Sequence, residues 1–70
     1  MKADVRRELL MTLESLRDNA HRHHLLASVP ADRQERALAG YNREIERRLI
    51  QLADEIEANA SANGIIGGGA

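Results

Sequence analysis

His21, His23 and His24 are the densest group of potential ligands or proton carriers in this chain. On a helix, His21 and His24 share a face at i,i+3. That is a weak metal spacing, because structural and catalytic sites need three or four ligands and no carboxylate is placed by sequence to complete the set. His23 falls on an apolar stripe and reads as an interior or interface histidine, where a gained proton would weaken the packing around it. There is no nucleophile with a neighbouring base, no carboxylate pair at an obvious pocket and no Gly-rich phosphate loop. The sequence therefore predicts no enzyme, no cofactor and no metal site, and what remains is recognition.

Arg36, Arg43 and Arg47 form an outward row with Arg33 at its flank, interleaved with Glu35, Glu44 and Glu46. A solvated helix face would look much the same. Ile50 is the residue that departs from it, lying about 120° around the helix from the apolar stripe and one turn from Glu46 and Arg47. A bulky aliphatic beside guanidinium groups resembles a protein-binding patch more than a nucleic-acid groove. Gly40 lies on the same outer side and costs about 1 kcal/mol relative to Ala, so it is either tolerated or a place where something approaches the backbone. Arg36, Gly40, Arg43, Arg47 and Ile50 are thus the candidate partner-binding residues. Leu10, Met11 and Leu25 lie off the first apolar stripe, and either widen an interface or offer an adaptable docking surface. RNA recognition would benefit from aromatic stacking, and the chain has one Tyr and no Phe or Trp, which makes nucleic acid the less favoured partner.

Two amphipathic helices must position these residues. Val5, Leu9, Leu13, Leu16, Ala20, His23 and Ala27 sit within about 80° of one another on a helical wheel, predicting a first helix over 3–26. Asp4 and Glu8 suit its positive end, Arg22, His23 and His24 its negative end, and Asp18 and Arg22 form an i,i+4 pair. Pro30 has no amide hydrogen and biases Val29 to an extended conformation, so a short turn follows, with Ser28 or Val29 as cap and Asp32 in the next first turn, paired with Arg36. A second helix is predicted over 30–59, with Leu38, Tyr41, Ile45, Leu49, Leu52 and Ile56 as its inner stripe and Glu44 pairing with Arg47 and Arg48 on its surface. Asn59, Ser61, Asn63 and Gly64 are residues that end helices. The expectation is an all-α antiparallel hairpin in residues 1–60, with a flexible tail over 61–70.

Seventy residues without Phe, Trp or Cys supply little bulky core and no disulfide, which leaves oligomerisation as the way to stabilise the chain. Two hairpins packed face to face make a four-helix bundle, and a homodimer of that kind is predicted, with Leu9, Leu13, Leu16, His23, Leu38, Tyr41, Ile45, Leu49, Leu52 and Ile56 as its core and dimer residues. Ten Lys and Arg against eleven Asp and Glu leave a net charge of -1, which argues against a general polyanion binder. No apolar run approaches the roughly 20 residues of a membrane span or resembles a signal-peptide core, so the expected setting is cytoplasmic and away from membranes.

The layout of helix, turn near Ser28 to Pro30, second helix and tail is similar to that of the plasmid copy-number protein Rop and its relatives. That resemblance implies a dimeric bundle that binds paired RNA loops. The length, the Arg- and Ala-rich character and the Arg-rich second helix also resemble the quorum-sensing anti-activators of phages of pseudomonads. This second resemblance implies a phage-encoded homodimer that binds and inhibits host proteins, a LuxR-type transcription factor and a pilus-assembly ATPase. The row Arg36, Arg43 and Arg47 with Ile50 would then be the contact, and a Rop-like RNA regulator is the alternative.

Overall fold

In the computed structural model, which describes residues 2–66, the chain forms three helices: α1 (Lys2–Ser28), α2 (Arg33–Ala37) and α3 (Ala39–Ala62). Helices α1 and α3 lie against each other along their length, giving a rod of 48 × 18 × 14 Å, and no strand occurs among the described residues. The predicted hairpin is therefore present. No helix is long and apolar enough to cross a membrane among the described residues.

The first helix runs two residues past its predicted end. It ends at Ser28, with Val29 still donating its amide to the Leu25 carbonyl at 2.8 Å, so Pro30 alone sets the boundary. Its last turn holds no basic residue, and Arg22, His23 and His24 lie too far back to act on the helix end. The pairs Asp18–Arg22 and Asp32–Arg36 are not among the ion pairs that form.

Asp32 has other work. It is the N-cap of α2, with extended backbone angles and a carboxylate oxygen that accepts the Glu35 amide at 2.8 Å. Glu35 reaches back in turn to accept the Ala31 amide at 2.8 Å. This reciprocal arrangement satisfies two amides at the helix start. The second half of the hairpin is then broken once, at Leu38, whose φ of -93° and ψ of 0° leave the helical region. The single helix predicted over 30–59 is thus a five-residue α2 and a 24-residue α3. Gly40, two residues past the break, lowers the local preference for helix.

The far end folds back. Gly64 adopts a φ of +70°, its amide meets the Ser61 carbonyl at 3.0 Å, and the Ile65 amide meets the Ala60 carbonyl at 2.8 Å. These bonds satisfy carbonyls that the last turn would otherwise leave free, in the pattern that requires a left-handed residue after the cap. The turn returns Ile66 to the interior, where it packs with Leu13, Ala53 and Ala60, flanked by Leu9, Leu16 and Ile56. The predicted tail therefore begins inside the folded region, and residues 67–70 lie outside the described residues. Gly64→Ala should lower stability by about 1 kcal/mol, measured by urea or thermal unfolding, because an L side chain is strained at that angle.

Candidate functional site

The contact between α1 and α3 is made mainly of small side chains. Ala20, Ala27, Ala53 and Ala60 are buried, Ala53 completely, while Leu13 and Ile66 are the only large aliphatics buried among the described residues. On α1 the buried and half-buried residues Leu9, Leu13, Leu16, Ala20, His23 and Ala27 follow the predicted stripe, while Val5 at its start is exposed and Leu26, off the stripe, is half-buried. On α3 they do not. The side turned toward α1 carries Asn42, Leu49, Ala53, Ile56 and Ala60, roughly 50° around the helix from the centre of the predicted stripe.

That rotation separates the predicted core residues into two groups. Leu9, Leu13, Leu16, His23, Leu49 and Ile56 are buried or half-buried within the hairpin. Leu38, Tyr41, Ile45 and Leu52 are exposed, Tyr41 to 71%, and with Val5 and Ile65 they form an apolar face along one side of the rod. At its terminal end this face contains a concavity lined by Asp4, Val5, Glu8, Leu9, Thr12 and Ile65.

Within the seam, one polar pair stands out. A His23 ring nitrogen, Nδ1, lies 2.8 Å from Asn42 Oδ1, linking half-buried His23 on α1 to buried Asn42 on α3. The sequence singled out His23 but not Asn42, because an asparagine one position from Tyr41 carries no periodic signal of burial. With the ring nitrogen donating to the amide oxygen, both groups are satisfied, and no buried side-chain nitrogen or oxygen lacks a partner among the described residues.

The opposite side of the rod is charged. Arg17 spans the helices, its guanidinium 3.3 Å from Glu57 and 3.5 Å from Asp54, and these partners, Glu57 first, hold it above its usual pKa. His24 Nδ1 lies 3.1 Å from Glu46. A shallow hollow there is lined by Arg17, Ala20, His21, His24, Glu46 and Ile50. His21 and His24 lie with ring centroids 6.4 Å apart, and no group of three or more His, Cys, Asp or Glu side chains is placed to hold a metal ion among the described residues.

The candidate partner-binding residues all lie on exposed surface. Arg47 is tied to Glu44, as is Arg48 at 3.4 Å, so the predicted pairing of Glu44 with both arginines is present. Arg36 and Arg43 form no ion pair within 4 Å among the described residues. Ile50 is 42% exposed at the edge of the hollow, and Gly40 would accept a Cβ with nothing within 4 Å, so no other part of the hairpin approaches its backbone. Leu10, Met11 and Leu25 are exposed as well. Comparisons with protein-family models, with curated proteins and with solved structures find no match to this chain.

Asn42→Ala leaves His23 without its seam partner and should lower stability by about 1–2 kcal/mol, whereas replacing both residues by Leu should recover most of the loss; chemical denaturation of the three variants checks this. Arg47, then Arg48, hold Glu44 below its ordinary range. A carboxylate with a depressed folded pKa stabilises the fold above its unfolded pKa and loses that contribution as pH falls through the folded value. Wild type should therefore melt above Glu44→Gln at pH 7, and the two curves should converge below about pH 4.

Proposed function

We propose that this chain is a non-enzymatic, self-associating helical hairpin that acts by binding another protein. The observation that carries the proposal is the exposure of four large side chains, Leu38 at the start of α3 and Tyr41, Ile45 and Leu52 along it. The accessible surface of 5460 Å² exceeds the roughly 4,400 Å² of a compact monomer of this mass. The difference, roughly 1,100 Å², is of the order that one subunit buries in a stable dimer. Two hairpins joined through this face form a four-helix bundle and supply the bulky core that the alanine seam lacks.

In that assembly the charged side stays outside, and Arg36, Arg43, Arg47, Gly40 and Ile50 are free to meet a partner. Two arginines with no ion-pair partner among the described residues, on the same side of the rod as exposed Ile50, favour an acidic protein surface with an apolar notch. The resemblance to phage anti-activators gives that partner a class. The proposed target is a LuxR-type transcription factor in the host cytoplasm, held away from DNA, with a pilus-assembly ATPase as a second target. The Rop-like alternative, RNA, has less support: the Arg17 guanidinium on α1 is already engaged by Glu57 and Asp54.

An affinity capture from host lysate, with and without nuclease, tests the proposal. Capture of protein should survive nuclease and be lost in Arg43→Glu and Ile50→Asp, both of which should leave the dimer intact by light scattering. Ile45→Asp should abolish the dimer. Capture that depends on RNA and falls steeply with salt would overturn the protein-binding proposal in favour of the alternative.

A further inference from the structure

We propose that the apolar face is covered by a second copy of this chain running antiparallel to the first, with the twofold axis crossing the middle of α3 near Gln51 and Leu52. This rests on the self-association proposed above and adds its direction and register.

Two rows along α3 and its N-cap repeat at seven residues. Leu38, Ile45 and Leu52 make the first, and Tyr41, Arg48 and Glu55 make the second, at the rim of the apolar face. Residues seven apart on a helix lie nearly above one another, so a neighbour seated on this face meets the second row as a line. Two of its three members are charged, with opposite signs, and neither is well partnered at home. The Arg48 side chain is 74% exposed and touches only the Glu44 carboxylate, which Arg47 already engages. Glu55 is exposed, accepts an amide hydrogen from Gln51 at 3.3 Å and has no cation within 4 Å among the described residues.

A twofold axis along the rod makes a parallel dimer, in which α3 lies opposite α1 of the partner subunit, so that Arg48 and Glu55 do not meet. An axis across the rod between residues 51 and 52 makes the antiparallel dimer. Arg48 and Glu55 are equally far from that axis, about 5 Å along the helix, so Arg48 faces Glu55 of the partner subunit. Symmetry repeats the pair on the other side of the axis. The apolar ends are complementary too: Leu38 and Tyr41, at the turn end of one hairpin, approach Val5 and Ile65 of the partner subunit, all of them exposed in the single chain. The axis lies close to the midpoint of α3, so the two rods overlap over nearly their whole length.

Full-length protein in dilute buffer tests each part separately. Sedimentation equilibrium should show a dimer; a monomer at all concentrations overturns both self-association and this inference. The chain has no Cys, so Arg33→Cys provides a unique spin-label site. Dipolar spectroscopy should give a distance near the 48 Å length of the rod. A distance under about 30 Å, three helix diameters, overturns the direction while leaving the dimer. Arg48→Glu and Glu55→Arg should each raise the dimer dissociation constant roughly tenfold, two exposed ion pairs being lost, and the double variant should return to within about twofold of wild type. Singles that change nothing, or a double that fails to recover, overturn the register. Both positions are exposed, so circular dichroism should show unchanged helix content in every variant.

Discussion

Almost everything about this molecule depends on the close contact of α1 and α3 through alanine. Ala20, Ala27, Ala53 and Ala60 let two backbones approach without bulky side chains between them. Such a contact fixes the relative position of the helices, but each buried alanine removes little apolar surface from water. Leu13 and Ile66 are the two large aliphatics that the seam encloses among the described residues, and both lie toward the terminal end. Toward the turn, the seam adds the hydrogen bond between His23 and Asn42 to the packing of Ala20 and Ala27. Register is well defined there at a cost in stability, since a polar pair tolerates neither sliding nor rotation.

Small residues inside have a direct consequence outside. Aliphatics that would otherwise fill a core stand along one side of the rod, and the ion pairs that span the helices stand along the other. The two sides therefore differ in what they can do. An apolar side is most stable when covered, and a second hairpin with the same stripe has the length and shape to cover it. A charged side with isolated aliphatics such as Ile50 suits reversible recognition, where complementarity matters more than area. In the proposed function, assembly and recognition use opposite sides of one hairpin.

The two ends of the hairpin are closed by local chemistry that costs few residues. Asp32 and Glu35 satisfy the amides that open α2, and Gly64 supplies the left-handed angle that terminates α3. The second closure matters more for packing, because it returns Ile66 to the same cluster as Leu13. A short chain gains enclosed volume in this way without a third long helix.

Apolar spacing and the lone proline were enough to determine two long helices, a turn near residue 30, the inner face of α1 from Leu9 to Ala27, and the pairing of Glu44 with Arg47 and Arg48. These depend on periodicity and on neighbours three or four residues apart, which a sequence carries directly. The break at Leu38, the burial of Asn42 and Ile66, and the rotation of α3 that exposes Leu38, Tyr41, Ile45 and Leu52 were decided only by the tertiary structure. A helical wheel locates the most hydrophobic side, whereas the side that meets a neighbour is chosen by which residues are small enough to let the helices approach. On α1 the two coincide. On α3 they diverge, because alanine and asparagine, not leucine and isoleucine, fit against the partner helix.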